Sequence, residues 1–119
     1  MAGEVVHIEF PSKDMDRAQR FWSGLFGWSF ADSGMPGMDY RMAPTGEGTG
    51  AALLDMKDGP GHANYYLACD DAEASSAKVR ELGGTASQKM PVPTHGWIVE
   101  CVDSEGNSFR LWQADPAAG

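Results

Sequence analysis

One supersecondary pattern is written twice in this chain, and that repeat constrains the fold more than any single residue does. His7-Ile-Glu-Phe10 is followed by Asp14, a helical apolar run and Leu25-Phe-Gly27. Adding 57 to each position gives Asn64-Tyr-Tyr-Leu67, Asp71, a second helical run and Leu82-Gly-Gly84. Asp14 falls on Asp71, Leu25 on Leu82 and Gly27 on Gly84. With one residue of slack, Glu47-Gly48 and Leu53 fall on Glu105-Gly106 and Leu111. Neither copy can bury a sheet face alone, so the repeat predicts two paired modules with a cleft between them.

Each module reads as strand, helix and three strands. Val5 to Phe10 alternates, with Val6, Ile8 and Phe10 on one face and Val5, His7 and Glu9 on the other. Pro11-Ser12 is expected to end this strand. Asp14 can cap a helix carrying Ala18, Phe21, Trp22 and Leu25 at helical spacing, and Gly27 stops it. Strands are expected near 28–32, 38–43 and 50–56, with turns at Ser33–Gly37 and Pro44–Gly50. Lys57-Asp-Gly-Pro-Gly61 is a breaker cluster joining the modules, about 4–57 and about 60–114. In the second copy, Asp71 caps a helix closed by Gly83-Gly84, and strands follow near 85–90, 96–102 and 107–113. Asp103-Ser-Glu-Gly106-Asn107 reads as a hairpin loop whose Gly and Asn supply positive-φ positions.

Composition narrows the partners. At 119 residues with 42% hydrophobic content the chain is expected to form a single domain, residues 1–119. Nine basic against seventeen acidic side chains give a net charge of -8, which repels phosphate backbones and anionic lipid, so no nucleic acid and no membrane are expected as partners. The first residues lack the basic and apolar regions of a signal peptide, and no apolar run reaches bilayer length; a cytoplasmic location is the expectation. Cys69 and Cys101 share no metal or redox spacing and read as buried thiols.

Three stretches carry a family resemblance: His7-Ile-Glu-Phe10 with Asp14 following, Phe21-Trp-Ser-Gly-Leu-Phe-Gly-Trp28, and the run from Gly96 to Gln113 with its Asp-Ser-Glu-Gly-Asn turn. Together with the repeat, they make the chain similar to the vicinal oxygen chelate superfamily of glyoxalases, bleomycin-resistance proteins and extradiol dioxygenases. Ser104 stands where the family usually has proline. The resemblance implies an α+β fold of two βαβββ modules, an open cup-shaped mixed sheet with the helices packed outside. It also implies a homodimer in which modules from both chains complete each cleft.

The family's four metal-ligand places map onto His7, Ala52 or Leu53, Asn64 and Arg110. Only His7 is a good ligand, and Arg110 would put a permanent cation where a divalent ion should sit. No metal and no cofactor are therefore expected, and a shifted set of His7, Glu9 and His62 is the weaker alternative. Strand parity puts Glu100 opposite Arg110. His7, Glu9, Tyr40, Asn64, Tyr66, Glu100, Arg110 and Trp112 are the candidate ligand-binding residues, with Tyr40 at the mouth and Trp112 as the stacking aromatic. Trp22 and Trp28 read as core. No catalytic residue is identified.

The expected function is metal-free binding of a small organic molecule, cationic or aromatic, for sequestration or delivery. A guest that is neutral or weakly anionic is expected instead if Arg110 neutralises Glu9 and Glu100. The alternative is a lyase, isomerase or dioxygenase-like enzyme with an atypical metal site or with His7 as general base.

Overall fold

The computed structural model describes residues 3–46, 48–55 and 62–119. The joining cluster expected at Lys57–Gly61, the end of the strand expected at Met56, and Glu47 lie outside these residues. By internal contacts the chain divides into two units, one of His7–Asn64 and one of Met1–Val6 with Tyr65–Gly119.

The first module comprises β1 (Val5–Ser12), α1 (Met15–Phe26), β2 (Ala31–Asp32), β3 (Tyr40–Pro44) and β4 (Gly50–Asp55). β1 runs parallel to β4, β4 antiparallel to β3, and β3 antiparallel to β2. Asp14 caps α1 by accepting the Arg17 N–H at 3.0 Å, and Gly27 ends it at φ 73°, a left-handed conformation that suits glycine. β1 extends through Pro11 and Ser12, which pair with Leu54 and Asp55, so Pro11 does not end the strand as expected; a missing donor near a strand end is tolerated. Pairing sets one sheet face as Ile8 and Phe10 beside Ala51 and Leu53, the last two 2% and 0% exposed. This face meets α1, where Phe10 stacks on Trp22 at 4.8 Å.

The strand expected over 28–32 is only Ala31–Asp32. Trp28 instead lies parallel to Trp22, rings 5.3 Å apart and 10° between planes, and its carbonyl accepts the Ser23 hydroxyl at 2.6 Å. The helix thus satisfies a carbonyl that a sheet neighbour would otherwise take.

The second module comprises β5 (Asn64–Ala68), α2 (Ala72–Glu81), β6 (Thr85–Ala86), β7 (Met90–Val92), β8 (Gly96–Val102) and β9 (Ser108–Ala114). β5 is parallel to β9, β9 antiparallel to β8, and β6 and β7 both pair with β8. Asp71 caps α2 by accepting from Glu73 N and Ala74 N, while the Gln113 side chain accepts the Ala72 N–H at 2.7 Å. Cys69, Ala72, Val99, Cys101 and Leu111 form the core between helix and sheet, flanked by Val79 and Phe109.

The expected strand 85–90 is broken. Ala86 pairs with Cys101 and Met90 with Ile98, so three residues on one side face two on the other, which is a one-residue bulge. Ser87 holds it, donating its N–H to Glu100 O and accepting the Glu100 N–H on its hydroxyl. In the hairpin loop only Gly106 has positive φ, 88°. Asn107 acts otherwise than expected: its backbone and side-chain amides both donate to Asp103, at 2.9 Å each. These bonds hold the Asp103 carboxyl below its ordinary pKa.

Both modules are therefore strand, helix and further strands, each with a mixed sheet and a helix on one sheet face, giving an α+β fold.

Candidate functional site

The face of the first module's sheet away from α1 is polar. His7 and Glu9 on β1 sit beside Gly50 and Ala52 on β4, and β3 lies beyond. Ala52 is fully buried, and its methyl lets Tyr40 reach diagonally from β3 to β1. Tyr40 Oη donates to Glu9 Oε2 at 2.7 Å, and Asn64 Nδ2 donates to Glu9 Oε1 at 3.0 Å. Glu9 is only 4% exposed, so burial has been matched by donors on both oxygens.

His7 Nε2 lies 2.7 Å from the same Tyr40 oxygen. Because the tyrosine proton is committed to Glu9, Nε2 is the protonated nitrogen and donates, which leaves the lone pair on Nδ1. Burial pushes the His7 pKa below its ordinary value; the nearby Glu9 charge works the other way and is the smaller effect. A Cβ at Gly50 would stand 3.4 Å from Nδ1, in ordinary contact.

In the second module the corresponding face carries Tyr66, Glu100, Arg110 and Trp112. Arg110 pairs with Glu100 across β8 and β9 and with Tyr66 across β5 and β9. Its Nη1 donates to Tyr66 Oη, its Nη2 lies 3.3 Å from Glu100 Oε2, and its guanidinium carbon stands 5.3 Å from the Tyr66 ring centroid. Tyr66 is 6% exposed, whereas the Glu100 side chain is 54% exposed. Trp112 lies over Gly96, where an added Cβ would fall 2.7 Å from the indole edge.

The eight expected residues therefore fall into two groups, one in each unit. Tyr40 belongs at the centre of its group, bonded to both partners on β1. Sequence reasoning missed that Gly96 contributes room, and it named Ala52 only as a mapped ligand place. For Ala52 its register beside Glu9 was the available signal; Gly96 pairs with Ala114, two residues on from Trp112. Trp22 and Trp28, expected in the core, form a half-buried aromatic cluster with Phe21 and Phe26 on α1. Trp97 is structural: Nε1 donates to Asp115 at 2.9 Å and Lys89 Nζ sits 4.2 Å from its ring centroid.

Among the described residues, the mapped donor set does not suit a resident metal. The places mapped for ligands on β4 and β9 hold Ala52 or Leu53 and Arg110, and both Glu9 oxygens already accept hydrogen bonds. His62 is exposed. A catalytic metal asks for about three protein donors around an open position, and His7 with Glu9 falls short of that.

The chain matches the family described as Glyoxalase-like domain over residues 6–112. It belongs to that family, within the vicinal oxygen chelate superfamily. It is similar to the glyoxylase-like protein CFP32 of Mycobacterium tuberculosis, 30% identical over 120 residues that cover 94% of this chain and 46% of CFP32. The chain thus spans about half the length of the curated relatives it first matches. Among solved structures, the methylmalonyl-CoA epimerase of Mycobacterium tuberculosis superposes with a TM-score of 0.75 at 15% identity, covering 96% of this chain and 89% of the other. A glyoxalase/bleomycin resistance protein/dioxygenase superfamily member from Vibrio splendidus 12B01 gives 0.69 at 18% identity, with 93% and 98% covered. These two likenesses concern the fold.

Proposed function

We propose that this chain binds a small organic molecule without a metal, on the polar sheet face of its first module, and acts by sequestration or delivery. The observation that carries this reading is Glu9, a carboxyl group almost wholly removed from water and oriented by Tyr40 and Asn64. A buried carboxyl group favours a cationic guest, and Tyr40 offers such a guest an aromatic surface. Tyr66, Glu100, Arg110 and Trp112 are proposed as ligand contacts of the second module. There Arg110 meets Glu100 and Tyr66, so a neutral or weakly anionic group suits that face. Calorimetric titration with aromatic amines and with small carboxylates tests the charge preference. Binding of amines that Glu9→Gln abolishes supports it, and tighter binding of carboxylates that is indifferent to Glu9→Gln sinks it.

A second reading is an enzyme with His7 as general base. It is favoured by the neutral imidazole whose Nδ1 carries the lone pair. Proton exchange at a carbon next to a carbonyl, lost in His7→Gln, would favour it over simple binding. Tight stoichiometric zinc or nickel binding, lost in His7→Ala, would overturn the metal-free reading of both.

Pairing of two copies and a cytoplasmic location complete the proposal. A monomer mass in light scattering at micromolar concentration would count against the pairing.

A further inference from the structure

Arg41 is a charged side chain in a place where the fold itself asks for none. It pairs with Leu53 across β3 and β4, on the sheet face that meets α1. The repeat supplies an internal control. Leu53 corresponds to Leu111, and the residue paired with Leu111 is Val99, fully buried in the core beside α2. Asp16 and Gln19 on α1 correspond in the same way to Glu73 and Ser76 on α2. The second module packs its helix on its sheet with valine where the first has arginine, so the arginine is not a requirement of that unit. A partly buried ion pair is also a weak source of stability, because both charges lose water to form it.

What the Arg41 guanidinium does is fasten β3 to the helix. Nε and Nη2 donate to the two carboxylate oxygens of Asp39 at 2.9 and 3.0 Å, and Nη1 donates to Asp16 and to Gln19 on α1 at 2.9 Å each. A planar fork is thereby fixed in two directions, along the strand and onto the helix. The preceding residue is Tyr40, the first of β3, and alternation sends its side chain to the opposite face, onto His7 and Glu9. Tyr40 needs an anchor. It lies beyond the end of β2, whose last pair is Asp32 with Arg41, and it follows a loop with Gly34 and Gly37 at positive φ and with Met35 and Met38 exposed. Its hydroxyl oxygen meets two partners at 2.7 Å each, where a shift of about 0.5 Å weakens both bonds.

We infer that Arg41 is a positioning residue for the polar site: by clamping Asp39 to α1 from behind the sheet, it fixes the Tyr40 hydroxyl between His7 and Glu9. The helix then shapes the ligand face without touching it. This inference rests on the site proposed above and not on its guest, since the bonds concerned are present in the chain alone.

Proton NMR of the full chain tests it without a ligand. The His7 Nε2–H and the Tyr40 hydroxyl exchange with water too fast to be seen unless hydrogen bonds hold them, so the wild-type chain should show both resonances. Arg41→Val copies the second module. It should fold with a melting temperature within a few degrees of wild type, because Asp16 and Asp39 remain in reach of water. Both resonances should nevertheless be lost, their exchange quickened by about tenfold or more. Asp16→Ala combined with Gln19→Ala unfastens the same clamp from the helix side and should have the same effect, which keeps the inference testable if Arg41→Val does not fold. Val99→Ala should lower the melting temperature through the second module's core and leave both resonances in place. Loss of the resonances in Val99→Ala as well would reduce the effect to general stability and overturn the inference. So would resonances kept at wild-type exchange rates in folded Arg41→Val or in the double variant. With the resonances as expected, failure of benzylamine to bind the wild-type chain would count against the proposed guest and leave the role of Arg41 supported.

Discussion

The two modules share a chain path and differ on their polar faces. In the first, a buried carboxyl group accepts from Tyr40 and Asn64; in the second, an arginine lies against a buried tyrosine and a half-exposed glutamate. Glu9 is an investment in burial that only a complete set of partners makes tolerable. The Glu100–Arg110 pair remains in reach of water and contributes little beyond local order. One scaffold thus carries a committed polar cluster and an adaptable one, and the repeated backbone alone could not have predicted which is which.

Four measurements can break or sharpen this contrast. Glu9→Ala should have the largest effect, a loss of about 2–4 kcal/mol in urea unfolding, because it removes the acceptor shared by the Tyr40 hydroxyl and the Asn64 amide and opens a cavity. A loss below about 1 kcal/mol would mean that the cluster is not tightly built. Ala52→Leu should cost about 1–3 kcal/mol by overpacking the place that Tyr40 crosses. It should also remove any ligand affinity owed to Glu9, read by titration.

The third measurement is the pH dependence of stability. His7 has a folded pKa below its unfolded value of 6.5, so the unfolded chain takes up the proton first as pH falls. The stability that goes with neutral His7 is complete above 6.5 and declines as pH drops towards the folded pKa. Thermal melts should show this decline, and His7→Gln should remove it; an unchanged slope in the variant would assign the titration elsewhere. The smallest effect is expected from Glu100→Gln, below about 1 kcal/mol and reduced further by salt. An effect as large as that of Glu9→Ala would erase the distinction between the two faces.

Much of the fold was legible because periodicity and caps report backbone directly. Asp14 and Asp71 cap the helices, and Val99, Cys101, Phe109 and Leu111 lie on the core side, as alternation requires. The register that sets Glu100 against Arg110 followed from the hairpin alone. What escaped depended on neighbours distant in sequence. The shortening of β2 follows from Trp28 meeting Trp22, and the bulge between β6 and β7 from Ser87 bonding Glu100. The burial of Glu9 needed Tyr40, Ala52 and Asn64 together, which alternation along one strand could not show. Asn107 was read by its tolerance of positive φ, while its side chain turned out to serve Asp103.

The free thiols sit on one side of the repeat only. Cys69 and Cys101 belong to the core of the second module, where burial raises both pKa values, that of Cys101 to about 11. At neutral pH a thiol reagent can modify them only when that core opens. The chain therefore carries a built-in clock for one half of its fold: labelling rates would time the opening of α2 from β8 and β9, and the first module would stay silent. A ligand seated on Glu9 that slowed this clock would show the two halves opening as one, without any probe having been attached to the first.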